Sequence, residues 1–254
     1  MRFEFKYIVN RNFLDQIREA ISPFVEMDHF AEADGKNHYT VRSIYFDTPN
    51  FDYYYEKIEG IKNRKKIRLR GYNHGDYLNT VFLEIKRKYN IPIKKYRAAI
   101  SFGDAIEMFK STSINGYAIQ QNGKLHQFEN ANRFFYQVYS KNLRPVVLVV
   151  YEREAFFSKF DDTVRITFDK GLRGLAYPSI ENLYKEDHMQ SALSDGFIIE
   201  VKFNKRFPMW LTPVLSRYGL KSKSASKYTM TMDAVKAIKN IRRSTIYTHS
   251  KWYN

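Results

Sequence analysis

Between residues 62 and 71 the chain reads KNRKKIRLRG, a run dominated by Lys and Arg. On a strand the side chains alternate, so Arg64, Lys66, Arg68 and Arg70 share one face while Ile67 and Leu69 share the other. One charged strand alone is ordinarily a wet surface. The division recurs, however. Arg2, Glu4 and Lys6 oppose Phe3, Phe5 and Tyr7; Glu84, Lys86 and Lys88 oppose Val81, Leu83 and Ile85; Glu200 and Lys202 oppose Ile199, Val201 and Phe203. Lys95, Arg97, Arg153 and Arg165 add cations on further β-rich segments. Such rows suit a linear triphosphate or polyphosphate, whose oxygens take bidentate contacts from Arg and point-charge contacts from Lys. The interleaved Glu4, Glu84 and Glu200 would repel a bare phosphate. They suit a hard divalent ion, Mg2+ or Mn2+, that bridges protein and phosphate.

These rows act together only if the strands bring them to one surface. In a flat sheet the charged face is simply solvated. In a sheet curled into a barrel the apolar faces point outward beneath helices and the ionic faces line the lumen. A cationic lumen repels itself and is tolerable when hydrated or when it encloses an anion. The expected fold is therefore α+β, an antiparallel β-barrel with surrounding helices. Periodicity and turn chemistry predict strands over 2–9, 39–46, 63–72, 78–88, 91–100, 145–157, 163–169 and 197–203, the third to fifth forming a meander. Helices are predicted after the first strand, over the segment ending at Gly60, and over 101–111, 128–142, 208–218 and 226–241.

With 254 residues and 44% apolar content the chain can bury a large core. Its 42 Lys and Arg against 27 Asp and Glu leave +15, so polyanions are the natural partners. There is no cysteine, which excludes disulfides, thiolate metal sites and cysteine nucleophiles. The start, MRFEFKYIVNR, lacks the apolar run of a signal peptide. The longest strongly apolar run, VVLVVY at 146–151, is far below the roughly 20 residues of a spanning helix. A cytoplasmic protein that does not itself cross a membrane is expected, built as one domain over 1–241 with a tail over 242–254.

Eight motifs in order, RFEFKYIV, SIYFDT, RKKIRLRGY, FLEIKRK, YEREAFF, VRITFD, IIEVKF and SASKYTM, resemble the VTC domain. That is the catalytic domain of the vacuolar transporter chaperone polyphosphate polymerases, within the triphosphate tunnel (CYTH-like) superfamily. The resemblance implies a tunnel of about eight antiparallel strands, a divalent metal, and transfer of the ATP γ-phosphoryl group onto inorganic polyphosphate or pyrophosphate. It implies that Lys6, Arg68, Arg70, Lys86, Arg153 and Arg165 are phosphate-holding tunnel cations, with Lys95 or Lys94 as another. Glu200 would bind the metal, Ser226 and Lys227 would close on the phosphates from a terminal helix, and Tyr151 would sit beside the site. The wider superfamily begins E-x-E-x-K, whereas this chain has Arg2, Glu4 and Lys6 in that register. Eukaryotic enzymes of this kind also carry membrane-spanning helices and an inositol-phosphate-sensing domain. Neither is found in this sequence, so coupling to translocation and that mode of regulation are not carried over, and the expected partners include a separately encoded membrane protein.

A terminal phosphate nucleophile is already ionised, whereas hydrolysis needs an oriented water, often assisted by a base. His29, His38, His74, His126, His188 and His249 all fall outside the strand motifs, which favours phosphate as acceptor. Glu4 or Glu84 could still serve a tunnel phosphohydrolase. A non-catalytic polyanion-binding module for RNA or polyphosphate is the third reading, although cations at period two with interleaved carboxylates differ from a stacking nucleic-acid groove, and no specific nucleic acid is expected.

Overall fold

The computed structural model describes residues 2–32, 35–89, 93–111 and 125–238. Its strands are β1 (Arg2–Asn10), β2 (Val25–Met27), β3 (Tyr39–Asp47), β4 (Asn63–Tyr72), β5 (Thr80–Tyr89), β6 (Ile93–Ser101), β7 (Arg144–Ser158), β8 (Arg165–Ala176), β9 (Gln190–Ser191) and β10 (Gly196–Asn204). The helices are α1 (Leu14–Ile21), α2 (His29–Glu32), α3 (Asp52–Ile58), α4 (Phe102–Ser111), α5 (Leu125–Ser140), α6 (Leu211–Arg217) and α7 (Lys227–Ala234). The expected meander is β4, β5 and β6. Expectation missed the short β2, α2 and β9, ended β8 too early and ran α7 too long. The tail expected over 242–254 lies outside the described residues.

The main path of the antiparallel sheet runs β1-β10-β8-β7-β3-β4-β5-β6, with β2 on β7 and β9 on β8. Closure differs from the expected barrel. Among the described residues no backbone ladder joins β1 to β6, so the tunnel-type sheet keeps a seam. Lys86 of β5 reaches over it to Glu4 of β1 at 3.4 Å. The Lys223 N–H, just before α7, donates to the Lys6 carbonyl at 2.8 Å. That bond occupies part of the edge β1 would otherwise leave open.

Alternation divides the sheet as the sequence suggests. On the convex side Ile67, Leu69, Leu83, Ile85 and Ala98 pack under α4 and α5, against Phe102, Ile106, Phe134 and Phe135. Tyr7, Val9, Ile166, Phe168, Ile199 and Val201 pack under α1 and α6, against Ile17, Ile21, Leu211 and Leu215. The concave side is only partly ionic. At one end it carries Val41, Tyr45, Val147, Val149 and Ile198, and α7 fills that end with Tyr228 and Met232.

A bulge makes room for α7. The β7–β8 register shifts between Val150 and Glu152, opposite Gly171, whose φ of +59° is left-handed. The extra residue reverses the alternation of β8. Arg165 and Asp169 face inward before it, while Arg173 turns outward to Glu152 and Glu186. Gly174 then faces inward beneath α7. A Cβ there would lie 2.2 Å from Thr231 Cγ2 and 2.4 Å from the Leu148 carbonyl oxygen. The backbone oxygen cannot rotate away, so Gly174→Ala is expected to cost about 1–3 kcal/mol, read as a lower urea midpoint at unchanged m-value.

Candidate active site

The ionic part of the concave face surrounds a cavity of about 1100 Å3. Its lining includes Arg68 and Arg70 from β4, Lys86 from β5, Lys95 and Arg97 from β6, Arg153 from β7, Arg165 from β8, Lys202 from β10 and Glu4 from β1. Antiparallel register assembles them. Arg68 lies opposite Glu84, which lies opposite Arg97, and Lys86 lies opposite Lys95. The same register sends Lys94 and Lys95 to opposite faces. Lys94 pairs with Arg87 on the outer face, where its ammonium lies 5.3 Å from the Tyr96 ring. Lys94 is therefore placed away from the cavity.

Acids are built in among the cations. Glu84 is 1% exposed; its carboxylate accepts from Arg68 Nε at 2.8 Å and pairs with Lys95 at 2.6 Å and Arg97 at 3.2 Å. A second chain of charges runs Glu4, Lys6, Glu200, Lys227, Asp169. Lys6 Nζ lies 3.1 Å from Glu4 and 3.2 Å from Glu200. Lys227 Nζ lies 2.7 Å from Glu200 and 2.5 Å from Asp169. Arg153 forks onto Asp169 at 2.6 and 2.8 Å and reaches Glu200 at 3.5 Å. Tyr151 underlies this chain, its ring 4.9 Å from the Lys227 ammonium and 5.3 Å from the Arg153 guanidinium carbon.

Ser226, at the N-cap of α7, accepts from Lys66 Nζ at 2.8 Å. Arg64 and Lys88 continue the β4 and β5 rows beyond Lys66 and Lys86; they lie outside the cavity lining, as do Lys6, Lys66, Tyr151, Ser226 and Lys227, which reach it through the charge chain and the N-terminus of α7. Expectation missed Asp169, although it shares alternation with Arg165 in VRITFD and was legible from it. It also missed Asp28, which pairs with Arg165 at 2.6 Å, and the Tyr45 hydroxyl and Ser43 Oγ that accept from Arg68 and Arg70. Those partners lie far off in sequence and left no local signal. His29, set aside with the other histidines, lines the cavity rim.

Burial works to raise the carboxyl groups, but the cations outweigh it. Lys6, Lys86 and Lys202 hold Glu4 at about 2 despite burial and the repulsion of Glu200. Glu84, Glu200 and Asp169 are likewise held below the ordinary carboxylate range. Two lysines move the other way. Burial, opposed by Glu200 and Glu4 and aided by Arg153 and Lys86, brings Lys202 down to about 8. Burial and the neighbouring Lys6, Lys86, Arg68 and Lys57 pull Lys66 well down.

These features define an antiparallel tunnel-type sheet around a cavity lined with cations. The VTC domain profile matches residues 1–236, and the chain belongs to that family. Curated relatives include vacuolar transporter chaperone complex subunit 4 of Schizosaccharomyces pombe, 28% identical over 70% of this chain and 29% of the relative. The subunit 4 of Trypanosoma brucei brucei is 23% identical over 74% of this chain and 27% of the relative. The chain thus spans under a third of the length of these relatives. Among solved structures it is similar to a candidate adenylate cyclase from Bacillus halodurans, at TM-score 0.49 and 11% identity, over 89% of this chain and 94% of the other. A candidate adenylyl cyclase from Hippeastrum, described as having a dominant triphosphatase activity, gives TM-score 0.49 and 14% identity over 92% of this chain and 96% of the other.

The depressed Lys202 gives a pH test. A bound phosphate favours its charged form, so its pKa is higher in the complex than the value of about 8 in the free protein. Its contribution to anion affinity is full below pH 8 and falls as pH rises from 8 toward the bound pKa. Calorimetry of tripolyphosphate binding near that pH is expected to show proton uptake, as a heat that varies with buffer ionisation enthalpy, and Lys202→Met is expected to reduce that uptake.

Proposed function

We propose that this chain is a divalent-metal-dependent polyphosphate polymerase that transfers the ATP γ-phosphoryl group to the end of an inorganic polyphosphate chain or to pyrophosphate. The observation that carries the reading is the state of the acids. Glu4, Glu84, Glu200 and Asp169 are each held by Lys or Arg and kept at low pKa. Such carboxylates are poor acceptors for a proton from water, and a phosphate acceptor needs no base. Phosphoryl transfer then rests on positioning and charge stabilisation, which a cationic cradle supplies.

In this reading Lys6, Arg68, Arg70, Lys86, Arg153, Arg165 and Lys227 hold the reacting phosphates and offset the charge of the transition state. Lys66, Lys95, Arg97, Lys202, Tyr151 and Ser226 orient the rest of the substrate. Among the described residues no three His, Cys, Asp or Glu side chains converge as a metal site. A hard divalent ion needs only one or two carboxylates when phosphate oxygens complete its shell. Glu200 and Glu4, on the paired strands β10 and β1 and sharing the Lys6 ammonium, can together supply that donor set; Glu84 stands apart from them among Arg68, Lys95 and Arg97. Mg2+ or Mn2+ there would neutralise phosphate oxygens as a Lewis acid.

The relatives' names as complex subunits support partner subunits for this chain, and the reading adds a separately encoded membrane protein among them and a cytoplasmic setting, where ATP is available. Among the described residues no helix is long and apolar enough to cross a membrane. A tunnel phosphohydrolase is the second reading. His29 favours it, at the cavity rim with Nδ1 3.7 Å from Asp28.

Incubation with ATP and Mn2+ or Mg2+, with and without pyrophosphate, followed by gel and phosphorus NMR, separates the readings. Long polyphosphate with matching ADP is expected. Orthophosphate or pyrophosphate as the sole product overturns the polymerase in favour of hydrolysis, and intact binding without turnover leaves a binding module. Arg68→Ala and Lys227→Ala are each expected to lower turnover at least about a hundredfold while the fold, followed by circular dichroism, persists. Glu200→Gln is expected to raise the metal concentration needed for half-maximal rate; an unchanged metal titration removes Glu200 from the metal site.

A further inference from the structure

Beyond the cavity lies a second group of cations with a different character. Lys57 of α3, Arg64 and Lys66 of β4 and Lys88 of β5 form no ion pair among the described residues. Lys57 Nζ donates to Ser224 Oγ at 2.7 Å and Lys66 Nζ to Ser226 Oγ at 2.8 Å. Arg64 donates to the Ile61 carbonyl at 3.0 Å. Register sets Arg64 opposite Lys88 and Lys66 opposite Lys86. These groups feel one another. Burial lowers Lys57, and Arg64, Lys6 and Lys88 lower it further; Lys57 is in turn among the cations that depress Lys66.

The contrast with the cavity is chemical. Around it Arg68, Lys95 and Arg97 share Glu84, Arg153 and Lys227 share Asp169 and Glu200, and Arg165 has Asp28, while Arg70 donates to the Ser43 hydroxyl. At the Lys57 end two seryl hydroxyls and a backbone carbonyl take the place of carboxylates. Half-buried like charges without a counterion raise the energy of the folded protein, and an anion between them removes that cost. The β4 row is continuous. Arg70 and Arg68 line the cavity, and Lys66 and Arg64 follow at about 7 Å per step, so the unpaired group lies one and two steps past the cavity wall. A triphosphate seated among Arg68, Arg70 and Arg153 does not extend to Arg64. A linear polyphosphate does.

We infer that Lys57, Arg64, Lys66 and Lys88 form a second phosphate subsite, which takes the distal part of a polyphosphate chain whose end lies in the cavity. The inference rests on the polyphosphate reading of the cavity but not on turnover. It adds a length requirement: chains long enough to span both groups bind more tightly than tripolyphosphate, by contacts remote from the reacting phosphate.

The test is calorimetric binding of tripolyphosphate and of a chain of about 20 phosphates to the wild-type protein and to Lys57→Gln/Arg64→Gln/Lys88→Gln. Lys66 is left intact because it holds the N-cap of α7. In the variant the long chain is expected to bind about tenfold or more weakly with a shallower salt dependence, while tripolyphosphate changes by less than about twofold. Lys57→Gln alone, a milder change, is expected to show the same selectivity at about threefold. Equal loss for both ligands, or no loss for the long chain, overturns the subsite. Wild-type protein that binds neither ligand overturns the subsite and the cavity reading together, whereas binding as expected without ATP turnover overturns the polymerase and leaves the subsite standing.

Discussion

Like-charge repulsion on the concave face is the constraint that the rest of the structure answers. Two cations 6 Å apart at an effective dielectric of 20 repel by about 3 kcal/mol, and register brings Arg68, Arg70, Arg97, Arg153 and Arg165 to one cavity. The chain offsets this with internal carboxylates. Glu84 serves three cations and Glu200 another set, and neither is more than 5% exposed. Removing one partner of such a set leaves a buried charge uncompensated, the costly case for buried ion pairs. The acids are therefore structural counterions before they are anything else.

Helix α7 depends on the same sheet in a different way. Its apolar side fills the end of the concave face where β3 and β7 carry Val41, Val147 and Val149, and the bulge at Gly171 with the bare Cα of Gly174 lets it approach. Asp47 then fixes its register, accepting from the N–H groups of Tyr53 and Tyr54 at the start of α3 and from the Tyr228 hydroxyl at 2.5 Å. Tyr228 stacks on Tyr45 with centroids 4.9 Å apart, and the Tyr45 hydroxyl accepts from Arg68. The residue before Tyr228 is Lys227. The helix that plugs one end of the lumen thus carries an ammonium into the charge chain at a position set from α3, β3 and β4.

Much of this was legible because strand alternation is a local property. The rows Arg64 to Arg70, Glu84 to Lys88 and Glu200 to Lys202 face as their spacing dictates, and the apolar rows opposite them pack under helices. Lys94 and Lys95 show the limit: both are cations on a strand, and only pairing with β5 decides which looks inward. The seam between β1 and β6 and the entry of α7 into the lumen are set by contacts between distant residues, so no window of sequence displays them. The reversal at Gly171 breaks the one rule that reading by parity relies on, and Arg173 on the outer face is the consequence. Asp28 sits between β2 and α2, elements too short to leave a periodic signature.

Internal counterions also shape what binding can achieve. In the proposed reaction a phosphate entering the cavity would meet few free cations, Arg70 on the Ser43 hydroxyl being one, and would compete with Glu84, Glu200, Glu4 and Asp169 for Lys and Arg already engaged. Its net affinity is the difference between two sets of charge-assisted contacts, which is smaller than either. Ground-state binding in the cavity is moderated as a result, and the contacts that matter for rate are those that strengthen as charge spreads over the transferring group. The unpaired end obeys the opposite logic. Lys57, Arg64 and Lys88 surrender no carboxylate when an anion arrives, so each contact there counts in full toward holding a chain. In the proposed polymerase, a tunnel that binds loosely where it reacts and firmly where it only retains would pass its product along without letting it go.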